Sequence, residues 1–266
     1  PPGGKSLFTG YYEPVLRGSL TREGPYQFPL YAPPADLVAQ PDTPATGQPG
    51  KTAWGRMQGG QFAPHVSRAE ITSGALEGKN LELLFVDDEV DLFFLHIQGS
   101  GQIQLPDGAV KRVGFAGKNG LPYTAIGAVL KSEGGLETVT MQSIKAYLRA
   151  HPEKRQEILN RNASYVFFQF LETDAPLGAS GQKLMPERSL AVDDTLWPYG
   201  TEAIVETRDP LHPEKPFIRR MIMADTGGAI RGLVRGDIYF GSGEEAGLRA
   251  GCMNHPGTLW IILPRG

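Results

Sequence analysis

The sequence predicts a mainly β protein with many turns and a few helices. Its 266 residues include 34 glycines and 22 prolines, which favour turns over long helices. Short apolar runs recur along the chain, and turn residues bound most of them, as is typical of strands. A chain of this length can bury a full core, in one large domain or in two of ordinary size.

Charge and composition exclude several classes of function. The net charge of −3 and the isoelectric point near 6.0 provide no basic surface, so we expect no nucleic-acid partner. No apolar run approaches the roughly 20 residues that a membrane-spanning helix needs. The single cysteine, Cys252, excludes an internal disulfide and a multi-cysteine metal site. The chain opens on Pro1 rather than Met, which leaves open the removal of an upstream targeting segment.

The first 90 residues predict strands separated by one long break. Phe8–Glu13 predicts an aromatic-rich strand ended by Pro14, in which Tyr11 and Tyr12 point to opposite faces. Residues 25–50 are rich in proline and predict a crossover or a domain boundary. Ser67–Ala75 predicts a short helix closed by a capping box.

The middle of the chain carries apolar runs, polar alternation and helices. Leu81–Val86 and Val90–Gln98 are apolar runs, and the acids between them, residues 87–91, predict a solvated connection. The alternation of Gln98, Ser100, Gln102 and Gln104 predicts hydrogen-bonding groups on one strand face, which suit either a sugar or the solvent at a sheet edge. Helical spacing predicts three packing helices, at Tyr123–Lys131, after a Thr140 cap, and from Pro152 to about Leu159.

The last hundred residues predict strands and turns, and they include a pair of acids. The predicted strands are Ser164–Phe170, Arg188–Asp194, Glu202–Glu206 and Gly257–Leu263, with two more inside Met221–Gly243. In that last stretch Asp225 ends one apolar run beside glycines and Asp237 begins the next. Carboxylates at strand ends beside glycines suit a rigid site that a ligand can approach, although aspartates beside glycines also order turns.

Other chemistries fit the sequence poorly. Gly114–Gly120 looks like a phosphate loop but lacks the Walker spacing, and the five histidines lack paired metal-ligand spacing. Ser100 lacks the flanking glycines of a nucleophile elbow, and adjacency in sequence does not place Cys252 and His255 for proton transfer. The Asp225–Gly227 triplet resembles one half of an aspartic protease site, but the chain has no second triplet.

Five segments together resemble the MltA family of lytic transglycosylases of Gram-negative bacteria. They are Phe8–Pro14, Gln98–Gly101, Ala116–Gly120 with Tyr123, Asp225–Ile230, and Asp237–Gly241. The similarity runs in order over nearly the whole chain. From about Ala175 onward the chain resembles the family's module named for three aspartates, which fall on Asp193, Asp225 and Asp237.

The resemblance implies a particular architecture. It is a double-psi β-barrel made of residues 1–32 and 168–266, with a second, smaller β-rich domain of residues 33–167 inserted and carrying the helices. A long groove between the two domains is expected to hold a glycan strand. The family is also tethered to the outer membrane by lipid on an N-terminal cysteine, so a periplasmic location and cell-wall enzyme complexes are further expectations.

The resemblance also implies an activity and its residues. Such enzymes cleave the β-1,4 bond between N-acetylmuramic acid and N-acetylglucosamine in peptidoglycan and leave a 1,6-anhydro sugar, with no metal or other cofactor. The catalytic acid falls on Asp237, which needs a raised pKa to be protonated near neutral pH. We expect Asp225 and Asp193 to stay ionised and to support it. The candidate substrate-binding residues are Tyr12, Gln98, Ser100, Asn119 and Tyr123.

Two other classes of function remain open at this point. An inverting hydrolase on a similar barrel would use two acids, such as Asp225 and Asp237, and would release reducing ends. A noncatalytic wall-binding module would bind glycan and release no fragments.

Overall fold

The computed structural model describes residues 6–41 and 52–263. The strands in those ranges are β1 (Leu7–Glu13), β2 (Val15–Ser19), β3 (Phe28–Tyr31), β4 (Val38–Pro41), β5 (Thr52–Gln58), β6 (Gln61–Ala63), β7 (Glu82–Val86), β8 (Ser100–Gln104), β9 (Val110–Lys118), β10 (Val166–Leu171), β11 (Ser189–Val192), β12 (Glu202–Arg208), β13 (Pro216–Thr226), β14 (Arg235–Ser242), β15 (Asn254–His255) and β16 (Thr258–Ile261). The helices there are α1 (Arg68–Thr72), α2 (Glu89–Gln98), α3 (Ile126–Ser132), α4 (Met141–Ala150), α5 (Pro152–Asn160) and α6 (Gly243–Cys252). The protein is mainly β with few helices, as the sequence predicts.

The chain forms two compact units. Residues 1–15 and 173–266 form the first unit, and residues 16–172 form the second. These divisions, after residues 15 and 172, differ from the domain boundaries that the resemblance implies, after residues 32 and 167. The boundaries implied by the resemblance stay a prediction.

The first unit is built on a seven-stranded sheet with β11 at its centre. The strand order is β15-β1-β14-β11-β13-β12-β16, with β1 parallel to β14 and β11 parallel to β13. The sheet follows the two-residue period of a half-buried strand. In β13, Phe217, Met221 and Met223 are buried whereas Ile218 and Ile222 are exposed.

Helix α6 packs on β1 and β14, and small residues allow the close approach. A Cβ on Gly10 would lie 2.7 Å from the Ala250 Cα atom, and one on Gly247 would lie 2.8 Å from the Tyr12 ring. Such distances leave no room for a side chain, so both positions require glycine. The sequence prediction of strand and turn alone in this region missed α6.

The second unit combines a six-stranded sheet, a three-stranded sheet and α1–α5. The larger sheet has the order β10-β9-β8-β2-β7-β3, and β4, β5 and β6 form the smaller one. Apolar residues of the larger sheet and of α2 form one core cluster, which includes Leu30, Leu84 and Ile103. A second cluster joins α2 to α3, α4 and α5 through residues such as Phe93, Leu130 and Leu148.

Several predictions of local structure are confirmed. Ser67 and Glu70 form the predicted capping box of α1, and Thr140 caps α4. Pro152 occupies the first turn of α5, where its missing N–H costs no intrahelical bond. The aromatic strand β1 ends at Glu13, directly before Pro14.

Three predictions are wrong. The acids of residues 87–91 do not form a solvated connection, because Asp88 caps α2 by accepting the N–H groups of Val90 and Asp91. Gln98 lies at the end of this helix and not on the strand of Ser100 and Gln104, since Gly99 closes the helix in the left-handed conformation. The proline-rich segment holds β3 and β4 rather than an open crossover, and its residues 42–50 lie outside the described part.

Candidate active site

A row of side chains crosses four neighbouring strands of the first unit. In the sheet register Asp237 of β14 pairs with Thr9 of β1 on one side and with Ala191 of β11 on the other. Ala191 pairs in turn with Asp225 of β13. Paired residues on neighbouring strands point to the same face of a sheet, so the two carboxylates share a face with only a small alanine between them.

A β-bulge in β13 puts Asp225 on that face. Leu190 pairs with Met223, but the next residue, Ala191, pairs with Asp225, so Ala224 is an extra residue in β13. In a regular strand, residues two apart share a face, so without the bulge Asp225 would point to the buried face of Met223. The bulge therefore re-aims the Asp225 carboxylate toward the face that already carries Asp237.

Asp237 is half-buried and has few stabilising contacts. Thr9 Oγ1 donates a hydrogen bond of 2.6 Å to Asp237 Oδ1, and among the described residues this is the one hydrogen bond that its carboxyl receives. Burial raises the pKa of Asp237 above its ordinary value, and the charge of Asp225 adds to this. The Thr9 hydrogen bond and the charge of Arg235 oppose the rise. Because Thr9 takes Oδ1, the other oxygen is left to carry a proton.

Asp225 is half-buried but better supported by hydrogen bonds. Oδ1 accepts the N–H groups of Ala179 and Thr226, each at 2.9 Å, and Oδ2 accepts the hydroxyl of Tyr11 at 3.0 Å. Burial raises the pKa of Asp225, and these three donors lower it without cancelling the rise. The three donors favour the charged form of Asp225, and the expectation that it stays ionised stays a prediction.

Two tyrosines border the pair of acids. Tyr11 pairs with Tyr239 across β1 and β14, and their ring centroids are 5.3 Å apart. Burial and the neighbouring Asp225 raise the pKa of Tyr11 well above its ordinary value, so its hydroxyl remains a hydrogen-bond donor. Tyr12, the predicted sugar-stacking residue, is 6% exposed and packs against Gly247 of α6. This burial corrects the choice of Tyr12, and Tyr11 replaces it as the aromatic residue at the acids.

Asp193 directly follows β11 and contacts the loop that precedes β14. It accepts the hydroxyl of Thr195 at 2.7 Å and the N–H of Gly232 at 2.9 Å, and Arg231 Nη1 lies 3.2 Å away. Burial alone would raise the pKa of Asp193, but these hydrogen bonds and the Arg231 charge lower it below its ordinary value. Asp193 thus holds the loop of residues 231–232 and is the acid of the three that favours ionisation.

The four other predicted binding residues belong to the second unit. Asn119 is fully buried, and its side chain donates to the carbonyls of Val66 and Ala163 and accepts the N–H of Tyr165. Its amide is therefore committed to the backbone, which corrects its prediction as a sugar ligand. Tyr123 is 51% exposed, and Gln98 and Ser100 are half-buried, so these three remain predictions.

Neither a metal site nor a membrane helix is found where the structure is described. Residues 6–41 and 52–263 contain no group of three or more histidine, cysteine, aspartate or glutamate side chains placed to hold a metal ion. In the same ranges no helix is long and apolar enough to span a bilayer.

Sequence reasoning missed three contributors to the site, namely Thr9, Tyr11 as a ligand of Asp225, and Ala179. Thr9 and Tyr11 share one face of β1 with two-residue spacing, so the alternation of that strand could have paired them. The Ala179 N–H has no such signal in the sequence, because a backbone donor is independent of residue type. It reaches Asp225 because the loop passes close to Ala224 at Gly178.

Fold and site together define a mainly β protein with two acids on one face of a sheet. Two family models match the chain, one described as the MltA specific insert domain over residues 7–169 and the other as the 3D domain over residues 188–263. The chain therefore belongs to the MltA family.

Curated relatives and solved structures agree with this assignment. The chain is 37% identical over 269 residues to membrane-bound lytic murein transglycosylase A of Escherichia coli K12, and 31% identical to that of Vibrio cholerae. Each match covers 97% of this chain but 66% of the relative's length, so the chain spans about two thirds of these proteins.

Two solved structures show the similarity in three dimensions. The membrane-bound lytic murein transglycosylase of Agrobacterium tumefaciens matches with a TM-score of 0.88 at 36% identity, over 97% of this chain and 74% of that one. E. coli MltA with bound chitohexaose matches with a TM-score of 0.80 at 35% identity, over 96% and 70%.

Proposed function

We propose that this protein is a peptidoglycan lytic transglycosylase. It cleaves the β-1,4 bond between N-acetylmuramic acid and N-acetylglucosamine and leaves 1,6-anhydromuramic ends. The relatives' names support this activity, and the chitohexaose in the E. coli structure supports binding of a glycan strand. The observation that carries the proposal is the half-buried Asp237, which has a raised pKa and receives one hydrogen bond on Oδ1.

Asp237 acts twice in this mechanism. In its protonated form it donates its proton to the glycosidic oxygen as the bond to the muramic acid C1 breaks. The resulting carboxylate then takes the proton of the C6 hydroxyl as that oxygen bonds to C1. The proton returns to Asp237, no water is consumed, and one carboxyl group serves both steps.

Asp225 and Tyr11 support this chemistry from the same face of the sheet. A negative Asp225 favours the protonated form of Asp237 and the positive charge that develops on the sugar ring. Tyr11 holds the Asp225 carboxylate by its hydroxyl and packs its ring on Tyr239. Asp193 contributes by fixing the loop of residues 231–232, which precedes β14.

The architecture implied by the family belongs to the same proposal. It comprises the double-psi β-barrel, the inserted domain and a glycan groove lined by Gln98, Ser100 and Tyr123. A periplasmic location, anchoring to the outer membrane by lipid in a longer protein, and assembly with other cell-wall enzymes are proposed from the family resemblance, and the relatives' description as membrane-bound supports the attachment to a membrane.

The test is digestion of purified peptidoglycan, with the products read by mass spectrometry. We expect anhydro-muropeptides from the parent and a loss of about a hundredfold or more in Asp237→Asn, since general acid catalysis contributes that factor. Asp174→Asn, an exposed acid of the same unit, is the matched control and should keep full activity. Full activity in Asp237→Asn would overturn the role of Asp237, and a parent that releases no fragments would indicate a binding module.

A second candidate is an inverting hydrolase that uses both acids. It is favoured by one observation, namely that β11 separates Asp225 from Asp237. Two strand spacings put their backbones about 10 Å apart, which leaves room for a water between the carboxyl groups. Reducing ends in place of anhydro ends would identify this reaction in the same digestion.

A further inference from the structure

The second unit contains a cavity of about 300 Å³ that the proposed reaction does not use. Apolar side chains, among them Phe28, Phe85 and Phe93, form much of its wall. Three basic side chains also line it, namely the buried Arg68 and His96 and the exposed Arg22. Cavities of this size with apolar walls and a few convergent polar groups are typical of sites for small molecules.

Arg68 is a buried cation without an acidic partner. It is 4% exposed, and its Nε and Nη2 groups donate to the carbonyls of Asn162 and Ser164. The rings of Phe93 and Tyr165 lie 4.7 and 5.0 Å from the guanidinium carbon. Among the described residues no carboxylate forms an ion pair with Arg68, and burial lowers its pKa to about 10. Buried charges are normally paired, so we expect an anion to bind beside Arg68.

His96, which also lines the cavity, carries a second unsatisfied group. The Arg68 Nη1 atom lies 3.0 Å from His96 Nδ1. Since arginine can only donate, Nδ1 is the acceptor, and in the neutral imidazole the proton is on Nε2. That Nε2–H group is buried and has no hydrogen-bond partner in the described structure. A buried donor without an acceptor is costly, and a ligand oxygen would satisfy it.

Three acids also line the cavity. Glu77 is exposed, Glu82 and Glu89 are half-buried, and Glu89 forms an ion pair with Arg155 at 3.1 Å. A ligand whose carboxylate reached Arg68 and His96 would place its other end beside these acids, where an N–H group is favoured over a second negative charge. The arrangement suits a small molecule with a carboxylate at one end and an apolar body.

We propose that this cavity is a binding site for a small organic carboxylate, whose oxygen accepts the His96 Nε2–H and whose charge neutralises Arg68. A free carboxylic acid and the C-terminal carboxylate of a short peptide share this chemistry. The site lies within residues 16–172 and does not depend on the proposed reaction at Asp237.

Calorimetry and NMR of the whole protein test the proposal with defined probes. Phenylacetate represents a free acid, N-acetylalanine represents a peptide C terminus, and phenylacetamide is the uncharged control. We expect saturable binding of at least one carboxylate and at least tenfold weaker binding of the amide. The ring NMR signals of His96 should report the Nε2–H tautomer and shift with the carboxylate. The tighter of the two carboxylates identifies the source.

Two variants separate binding from folding. His96→Phe keeps the ring contacts but removes both the Nε2–H donor and the Nδ1 acceptor of Arg68, so carboxylate affinity should fall at least tenfold and stability should fall as well. Gln156→Trp fills the cavity mouth from an exposed position of α5 and should weaken binding as much without loss of stability, whereas Lys154→Trp, exposed on the same helix outside the lining, should not. Absence of saturable binding at millimolar carboxylate, equal affinity for the amide, or shifts at other histidines would overturn the proposal.

Discussion

Thr9→Val should raise the pKa of Asp237 by about one unit. The substitution keeps the β-branched shape of the strand residue and removes the 2.6 Å hydrogen bond to Asp237 Oδ1. A hydrogen bond to a charged acceptor contributes about 1.5–3 kcal/mol, and one to a neutral acceptor about 0.5–1.5 kcal/mol. The difference of about 1–1.5 kcal/mol favours the carboxylate, and losing it corresponds to about one pKa unit.

The shift can be measured by 13C NMR titration of the aspartate carboxyl groups, with Asp237→Asn to assign the signal. In the digestion assay the alkaline limb of the pH profile should move up by the same amount, because the reaction starts from protonated Asp237. Thr207→Val is the matched control, since Thr207 donates to the neutral carbonyl of Pro256 at 2.9 Å. It should lower stability by about 1 kcal/mol and leave the pKa of Asp237 unchanged.

The pKa of Asp237 should also make the free energy of unfolding depend on pH. The folded-state pKa of Asp237 is raised, so its contribution to stability is present below the unfolded pKa and is lost as the pH rises through the folded pKa. Thr9→Val raises the folded-state pKa further, so the variant loses more stability than the parent as the pH rises. Its deficit in unfolding free energy should therefore grow between the unfolded and the folded pKa of Asp237. An unchanged or lowered pKa of Asp237 in Thr9→Val would refute the account of how this carboxyl is tuned.

Three further substitutions test the surroundings. Gly178→Ala should cost about 1–3 kcal/mol in urea unfolding, because the added Cβ would lie 2.3 Å from the Ala224 oxygen; Gly228→Ala, whose Cβ meets nothing within 4 Å, is the control. Asn119→Ala should cost about 2–4 kcal/mol because it removes the hydrogen bonds of the Asn119 amide to the Val66 carbonyl and from the Tyr165 N–H. Unchanged stability with lost glycan binding would contradict this role. Asp193→Asn should lower stability by about 1–2 kcal/mol at pH 7. This deficit should vanish below the ordinary pKa of 3.8, as the pH falls through the lowered folded pKa of Asp193. A deficit independent of pH would exclude the charge of Asp193 as its cause.

The strands that carry the acids could be predicted, but the face of Asp225 could not. The apolar run Met221–Ala224 and the turn glycines after it predict a strand that delivers Asp225. The two-residue period of a strand places Asp225 on the same face as Met223, which is the buried face. The extra residue Ala224 reverses this assignment, and a bulge has no reliable signal in a single sequence.

Helices that depart from simple periodicity were also hard to predict. Helix α2 is buried on most sides, so its apolar run lacks the 3.6-residue period that separates a helix from a strand. For this reason the polar alternation predicts a strand position for Gln98, although the residue ends α2. Helix α6 buries alanine and glycine, and such small residues give a weak apolar stripe. The motif resemblance located Asp237, but a motif alone does not say that Tyr11 rather than Tyr12 reaches the acids.

The central position of β11 has a consequence for dynamics. This strand carries Ala191 between the two acids, and it has three strands on each side. Amide protons in the middle of a sheet exchange with solvent mainly through cooperative opening of the whole unit. The spacing of the acids is therefore tied to global unfolding of the sheet and not to the local fluctuation of a loop. Hydrogen exchange at Ala191 should be among the slowest in the protein, and glycan binding should change it little.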